Sequence, residues 1–496
     1  MHLLSAKQVL RRQFNHALET IMFPSKYPLN IALRLVFASI FFFLITLNAT
    51  VAQLPVRDYG RHPGRNGALS EEEMKMARQA WKYFERNYQD STGLVNAVDK
   101  YPSTTMWDIA AYMAALVAVR EMGIITKEVF DERVTKMFTT FQRVSLFRDE
   151  LPNKCYNTIT GQKVNYGNEP MEIGFSAIDL ARFLLWCKVI KERYAEHSDR
   201  IDDFILRWKF KNVIDSSGIL YGAGVDDKDK KKTKYLQEGR LGYEEYSAKC
   251  FQLWGFETSM AAKPEPYDTR TIYGIEIPYD TRDPRELGAH NYVVCESYVL
   301  DGIELNWDSG YDRTSRDDEH TDKIIADFAQ RIYKVQEERF RRTRIMTART
   351  EHQLDGDPYF VYDTIFSDGY PWNTITEAGK NVPQYSAVAL KGALGLWALW
   401  ETKYTDSLFN YIKNAYDPEK GYNEGIFERK GHDFIKAYTM NNNGIMLETL
   451  LYKMQGKLVR FSGRDSKWDK TLRNREEPKG SYIYERQRKP LQSASN

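Results

Sequence analysis

Residues 238–256 read EGRLGYEEYSAKCFQLWGF. The stretch opens with a turn that carries three acids, Glu238, Glu244 and Glu245, and it continues without a break into a helix whose body is almost wholly apolar. A helix that is apolar on most sides is a buried one, so its polar start should lie at the rim of the core. The stretch therefore predicts a functional site on the end of a core helix.

Five other stretches repeat this pattern of an acid- or asparagine-bearing turn followed by an aromatic-rich apolar helix. These inner helices are predicted to begin near Trp107, Ile173, Tyr243, Val293, Gln384 and Thr439. More polar helices or long loops precede them, and such spacing is typical of a repeated supersecondary unit. The pattern predicts an all-α fold, an (α/α)6 toroid over residues 70–457 with long loops at one end of the inner helices. An open α-solenoid is the alternative, but its loops would be short and regular.

One position in this repeat is weak, since residues 257–292 contain no clear helix to serve as the outer partner of the fourth inner helix. Within the second inner helix, Asp179 and Arg182 are spaced to pair on one face. Residues 151–170 are rich in turn formers and predict a short hairpin.

The N-terminal region, residues 1–52, has the composition of an export signal. Basic residues precede the apolar run 35–47, which is shorter than the ~20 residues that span a bilayer, and small residues follow up to Ala52. We expect cleavage near Ala52 and a periplasmic protein; an uncleaved signal anchor is the alternative and would be its one link to the membrane. Residues 53–69 are interpreted as a linker and residues 458–496 as a polar, basic tail.

Composition argues against several classes of function. The formal net charge is only +2, from 70 basic and 68 acidic residues, so no overall field favours nucleic acid as a partner. The four cysteines show no CxxC spacing and the eight histidines no HExxH motif, so no metal, no cofactor and no catalytic cysteine are predicted. The state of the cysteines stays open. The 14% aromatic content suits sugar rings but is explained for the most part by a large helical core.

Several long motifs carry a family resemblance. TTMWDIAAYMAAL (104–116), LPNKCYNTITG (151–161), EGRLGYEEYSAKCFQLWGF (238–256), YFVYDTIFSDGYPWNT (359–374) and NNNGIMLETLLYK (441–453) together resemble a bacterial family of exported proteins called domain of unknown function 3131. The pattern is more distantly similar to the glucoamylase-like and β-1,2-glucanase toroids. That likeness implies a glycoside hydrolase with a pair of carboxylates, whereas the family name itself implies no activity.

Glycoside hydrolysis needs one protonated carboxylic acid and one carboxylate on opposite sides of the scissile bond. The candidate catalytic acids are Asp108, Glu238, Glu244, Glu245, Glu424 and Glu428. In a ring of six, the third and sixth inner helices lie opposite each other, so we expect Glu244 or Glu245 to face Glu424 or Glu428, with Asp108 as the next candidate. Acids at helix starts are also common dipole caps, so the cluster is stronger evidence than any member.

Substrate contacts are predicted from aromatic and amide side chains near the same helix starts. Trp107, Tyr243, Trp372 and Tyr422 would stack on sugar rings, and Asn441 and Asn442 would hydrogen-bond to hydroxyls. The predicted function is a periplasmic glycoside hydrolase acting on a bacterial polysaccharide or glucan, with a poly- or oligosaccharide as its partner. Alternatives are a non-catalytic protein of glycan binding, export or assembly, and a polysaccharide lyase with His290 or His352 as base.

Overall fold

The apolar stretches of the sequence form helices in the computed structural model, which describes residues 64–264, 266–282, 292–314, 319–429, 431 and 433–474. Within these residues the α-helices are α1 (Glu71–Asn87), α2 (Met106–Glu121), α3 (Lys127–Phe141), α4 (Ala177–Arg193), α5 (Ser198–Ile205), α6 (Tyr243–Gln252), α7 (Glu296–Leu300), α8 (Lys323–Thr343), α9 (Leu390–Leu399), α10 (Lys403–Ile412), α11 (Met440–Gln455) and α12 (Lys467–Asn474). A π-helical turn, Asp301–Leu305, continues α7.

Six of these helices form a closed inner ring. In chain order α2, α4, α6, α7, α9 and α11 each pack against the next, and α11 returns to pack against α2. This closure distinguishes a toroid from an open solenoid, so the predicted (α/α)6 fold is confirmed. The predicted helix starts are also close, except that α9 begins six residues after Gln384, because a 3-10 turn and a short strand occupy residues 383–389.

The outer layer is less regular than the inner one. Helices α1, α3, α5, α8 and α10 pack on the outside of the ring. Between α6 and α7 the described residues contain instead the hairpin of β6 (Tyr267–Ile272) and β7 (Ile275–Asp280), which packs against α8. No helix was predicted in residues 257–292, and the described part of that range contains none.

Short antiparallel strands lie in the loops between the helices. The others are β1 (Ser103–Thr105), β2 (Cys155–Asn157), β3 (Lys163–Val164), β4 (Tyr221–Val225), β5 (Thr233–Gln237), β8 (His352–Gln353), β9 (Phe360–Asp363), β10 (Phe366–Ser367), β11 (Tyr370–Pro371), β12 (Thr374–Ile375), β13 (Ala387–Ala389), β14 (Tyr416–Asp417), β15 (Gly421–Tyr422) and β16 (Gly425–Phe427). Two three-stranded sheets occur, in the orders β1-β2-β3 and β12-β9-β8, and the remaining pairs are β4-β5, β6-β7, β10-β11, β13-β16 and β14-β15. The hairpin predicted within residues 151–170 is β2-β3.

Polar caps fix where the inner helices begin. The hydroxyl groups of Thr105, Ser176 and Thr439 accept hydrogen bonds from backbone N–H groups in the first turns of α2, α4 and α11. Such caps satisfy donors that would otherwise lack a partner at a buried helix end. The loop before each helix is therefore held close to the helix axis.

Close helix contacts and aromatic side chains fill the interior. A Cβ atom on Gly395 of α9 would lie 2.2 Å from Cγ1 of Val299 in α7, so glycine is required at this approach. Trp186, Tyr112 and Tyr246 are fully buried, as expected of a helical core packed with aromatics. The four cysteines are buried and form no disulfide.

The predicted export signal, residues 1–52, lies outside the described residues, as do most of the linker and the end of the tail. Among the helices that are described, none combines the length and apolarity needed to cross a bilayer.

Candidate active site

The N-terminal ends of the inner helices converge on one face of the ring. Trp107 of α2 donates its indole N–H to Asn441 Oδ1 of α11 at 3.0 Å, and Asn441 Nδ2 donates to Glu296 Oε1 of α7 at 3.1 Å. Lys391 of α9 pairs with the other oxygen of Glu296 at 2.5 Å, and the ring of Tyr243 in α6 lies 5.8 Å from that of Trp107. We call this face the mouth. It is defined by Trp107, Asp179, Tyr243, Glu296, Lys391 and Asn441, one residue from each inner helix.

A buried ionic cluster fills the ring beneath the mouth. Arg182 of α4 lies 2.7 Å from Glu448 Oε1 of α11 and 3.6 Å from Glu304 Oε1 in the π turn after α7, and all three side chains are inaccessible to solvent. These elements alternate around the ring, so side chains that meet across them must meet near its axis. Burial raises the pKa of both glutamates, while Arg182 opposes the shift. Arg182 is thus committed to this cluster, and the structure contains no Asp179–Arg182 ion pair of the kind predicted.

Asp179 and Glu238 share one hydroxyl partner at the mouth. Ser176 Oγ lies 3.1 Å from Asp179 Oδ1 and 2.9 Å from Glu238 Oε2. The same oxygen accepts a hydrogen bond from the backbone N–H of Asp179, so one serine hydroxyl links both carboxyl groups to the start of α4. Burial and, after it, the charge of Glu238 raise the pKa of Asp179 to about 7. Asp179 remains half-buried, so it is both desolvated and reachable.

Asp108 occupies the matching place on the neighbouring inner helix, in a different electrostatic setting. Thr105 Oγ1 donates to Asp108 Oδ2 at 2.6 Å, and the side chain is half-buried. Burial raises its pKa, but Thr105, Arg182 and Lys391 all act in the opposite direction. Asp179 therefore has an acid as its principal charged neighbour, whereas Asp108 has cations.

Glu351 adds a charged carboxylate from the loop before β8. Tyr243 donates its hydroxyl to Glu351 Oε1 at 2.6 Å, and Thr350 Oγ1 lies 3.0 Å from Oε2. Burial opposes ionisation of Glu351, but Arg240, Lys391 and the Tyr243 hydroxyl outweigh it and lower the pKa. Glu351 was not among the predicted site residues.

The two predicted acids at the start of α6 are bound to partners on their own side of the chain. Glu244 is 1% exposed and pairs with Arg282 Nη1 at 2.6 Å, just after the β6-β7 hairpin. Glu245 is equally buried and accepts from the backbone N–H of Gly242 at 2.6 Å, so it caps its own helix. Burial and then the charge of Glu244 raise the pKa of Glu245.

Glu424 and Glu428, predicted to face them, also have partners within the protein. Glu424 accepts hydrogen bonds from the Thr439 hydroxyl and, at 3.1 Å, from the backbone N–H of Gln353. Glu428 receives paired hydrogen bonds from Arg339, at 2.7 and 2.9 Å, and from Arg349, at 3.1 and 2.9 Å. The predicted pairing of acids across the mouth is not what these contacts show. A catalytic role for the four acids stays a prediction, and Asp108 and Glu238 are the predicted acids that are half-buried at the mouth.

Of the predicted sugar contacts, Trp107 and Asn441 lie at the mouth with part of their surface exposed. Tyr243 is 3% exposed beneath Trp107. Asn442 is fully buried and donates to the backbone oxygen of Asn423 at 2.9 Å.

The two other predicted stacking rings lie in packing contacts. Tyr422 is 1% exposed and donates its hydroxyl to the backbone oxygen of Lys413. The Trp372 ring stacks on Tyr273 with centroids 6.1 Å apart, and the guanidinium of Arg339 in α8 covers it at 4.5 Å. Its contacts are thus with the outer layer.

Asp179 was missed as a site residue although the sequence carries a signal for it. Thr105-Met-Trp-Asp108 and Ser176-Ala-Ile-Asp179 are both helix caps followed by an acid three residues later. Two neighbouring inner helices that begin this way place two carboxyl groups at the same level of the mouth. Glu351 carries no comparable local signal, because Tyr243, which donates its hydroxyl to it, is 108 residues away.

The histidine of the lyase alternative is buried. His352 is inaccessible to solvent, and burial lowers its pKa to about 4, so it is neutral and enclosed at physiological pH. His290, the other candidate base, lies outside the described residues.

One group of side chains in the described chain has spacing compatible with a metal, namely Asp131, Glu196 and His197. His197 Nε2 lies 2.9 Å from Asp131 Oδ1, and the ammonium group of Lys127 is 2.5 Å from both Asp131 Oδ2 and Glu196 Oε1. A cation of the chain thus already joins the two carboxylates. The group lies on α3 and the turn after α4, not among the residues of the mouth.

Comparison with known proteins agrees with the fold. The family model described as protein of unknown function (DUF3131) matches residues 75–456. No curated protein matches the sequence.

Several solved structures are similar. An endo-β-1,2-glucanase from Chitinophaga pinensis, in complex with sophorotriose and glucose, has a TM-score of 0.54 at 12% identity over 79% of this chain and 94% of that one. A glucoamylase-like protein from Bacteroides fragilis has a TM-score of 0.56 at 12% identity over 82% and 97%. A mutant endo-β-1,2-glucanase from Talaromyces funiculosus, in complex with β-1,2-glucan, has a TM-score of 0.52 at 12% identity over 79% and 85%. At such identities the likeness shows a glycoside hydrolase-like fold and nothing finer.

Proposed function

Since this chain belongs to the DUF3131 family and its inner helices close into a glycoside hydrolase-like ring, we propose that it is a glycoside hydrolase. Its substrate would be a bacterial polysaccharide or glucan, and its place of action the periplasm, in keeping with the signal-like composition of residues 1–52. The observation that carries the proposal is the half-buried Asp179 at the mouth, joined to Glu238 through the Ser176 hydroxyl, with a pKa raised to about 7 by burial and by Glu238.

Asp179 is proposed as the general acid. A carboxylic acid that protonates a glycosidic oxygen must hold its proton at working pH, which requires a raised pKa. Burial and the adjacent Glu238 supply that shift, so its value lies about where proton donation near pH 7 is efficient. Ser176 would orient the acid and pass the influence of Glu238 to it through their shared hydrogen bonds.

Asp108 is proposed as the second carboxylate. It begins the neighbouring inner helix, where Arg182, Lys391 and the N-terminus of α2 favour its charged form. In that form it would act as base toward water or as nucleophile. Trp107, beside it, would offer an aromatic surface to the sugar, and Asn441 an amide.

The test is a hydrolysis assay with a panel of neutral and acidic glycans, including β-1,2-glucan, followed by measurement of new reducing ends. We expect one glycan class to be cleaved and Asp179→Asn to lower its turnover by roughly 10²–10⁴-fold without loss of folding. Asp327→Asn is the matched control, because it makes the same change at an exposed aspartate on the outer helix α8. Binding of a glycan without cleavage of any would contradict the hydrolase and support the alternative of a glycan-binding protein.

A further inference from the structure

Arg240 is a half-buried cation in the mouth with no acid bound to it. Its guanidinium carbon lies 4.5 Å from the ring centroid of Tyr243 and 5.9 Å from that of Tyr362. Glu351 contributes the largest favourable charge interaction, yet within the described chain the guanidinium makes no side-chain hydrogen bond or ion pair. Aromatic contacts therefore orient its planar donors, and no side chain of the described residues accepts a hydrogen bond from them.

This state is unusual among the arginines of the interior. Arg182 is bound to Glu448, Arg282 to both Asp280 and Glu244, and Arg349 to both Asp363 and Glu428. In these three the guanidinium is balanced by carboxylates, which is the rule for buried charges. Half-buried Arg133 also stacks on aromatic rings, those of Trp81 and Tyr88, but it lies on the outer helix α3, whereas Arg240 lies beside Tyr243 of the mouth.

The nearby acids do not exclude an anion from this position. Glu296 is paired with Lys391, and Glu351 lies near Arg240 and Lys391, the two cations that favour its charged form. Asp179 has a pKa raised to about 7 by burial and Glu238, so below that pH it carries little charge, and half-buried Lys154 adds a further positive charge on that side. The N-terminal ends of the inner helices also point here and favour negative charge.

We infer that Arg240 binds an oxyanion carried by the glycan, either the carboxylate of an acidic sugar or a phosphate ester. The inference rests on the proposed function for the identity of the ligand as a glycan, and it deepens that function by assigning an acidic substrate. Guanidinium forms paired, charge-assisted hydrogen bonds with both oxyanions, and stacking on Tyr243 fixes its plane in advance.

The experiment measures binding to the full chain of three probes that differ at one position of the sugar: D-glucose, D-glucuronate and D-glucose 6-phosphate. We expect at least one anionic probe to bind at least tenfold more tightly than glucose, with an affinity that falls as salt is added. Arg240→Gln should remove this difference, and Arg240→Lys, which keeps the charge without the fork, should restore part of it. Arg342→Gln is the matched control, because Arg342 stacks on Tyr273 at 5.1 Å but lies exposed on α8.

The outcomes separate this inference from the proposed function. Equal affinity for all three probes, or anion binding that survives Arg240→Gln, overturns the inference even if a neutral glycan is cleaved through Asp179. Anion binding that depends on Arg240 sustains the inference even if no glycan is cleaved, in which case the proposed hydrolase fails alone. Preference for the carboxylate or the phosphate identifies which oxyanion the site takes.

Discussion

Two features raise the pKa of Asp179 to about 7, its burial and the charge of Glu238, which is joined to it through Ser176. A general acid must be protonated to act, so activity should fall as the pH rises through about 7. Glu238→Gln removes the neighbouring charge and should move this alkaline limb to lower pH. A pH profile of kcat/KM measures the shift. An alkaline limb that stays in place in Glu238→Gln would contradict the assignment of Asp179 as the acid.

The position of Glu238 depends on the absence of a side chain at Gly222. A Cβ atom at Gly222 would lie 2.0 Å from Glu238 Oε1, and the Glu238 side chain is the part free to move. Gly222→Ala should therefore displace the carboxylate and shift the alkaline limb as Glu238→Gln does, with little change in stability. Gly224→Ala on the same strand is the control, since its Cβ would meet only Ile173 O at 3.9 Å. If Gly222→Ala and Gly224→Ala had the same pH profile, the effect of Glu238 on the alkaline limb would not depend on the position of its carboxylate.

The inner helices α7 and α9 pack so closely that one added methyl group should change the free energy of unfolding. Replacing glycine by alanine inside a helix normally stabilises it by about 1 kcal/mol. At Gly395 of α9 the added Cβ would meet Val299 Cγ1 at 2.2 Å, so we expect Gly395→Ala to destabilise instead, by roughly 1–3 kcal/mol.

Chemical denaturation measures this effect, and the double variant Gly395→Ala/Val299→Ala should recover part of the loss because it removes the contact. Asn410→Ala, at an exposed position of α10, should stay within about 0.5 kcal/mol of the parent. A stabilising Gly395→Ala would show that α7 and α9 are further apart than described.

The order of the elements could be predicted because each inner helix is apolar on most sides over two turns or more, a local property of the sequence. The late start of α9 could not, because residues 387–389 pair with β16, some forty residues later. The orientation of the acids within these turns could not be predicted from the sequence either. Glu428 is fixed by Arg349 and Glu244 by Arg282, partners 79 and 38 residues away. The polar starts of the inner helices could be recognised from the sequence. Ion pairs between residues far apart in sequence decide which acids at those starts keep exposed surface.

Among the buried or half-buried acids of the described residues, two groups have opposite pKa shifts. Asp179 and Asp301 have pKa values raised to about 7 and Asp363 to about 6, in each case chiefly by burial. For Glu351 and Glu428 burial acts in the same direction, but nearby arginines outweigh it and lower the pKa. The first group stabilises the fold when protonated, and the second when charged.

The pH dependence of stability follows from these signs. An unfolded aspartate titrates near 3.9, so between about pH 4 and 7 the folded chain holds protons that the unfolded chain has released. Stability should therefore rise as the pH falls from about 8 to about 5. Below about pH 4, Glu351 and Glu428, whose pKa values are lowered, become protonated. Their favourable interactions with arginine are then lost, so the free energy of unfolding should fall. Thermal unfolding from pH 3 to 9 should accordingly give a maximum near pH 5, and Asp179→Asn should reduce the slope on its alkaline side. If the midpoint temperature of unfolding instead rose steadily from pH 5 to 8, the buried aspartates would be ionised in the folded protein. Asp179 could then not donate a proton as the general acid.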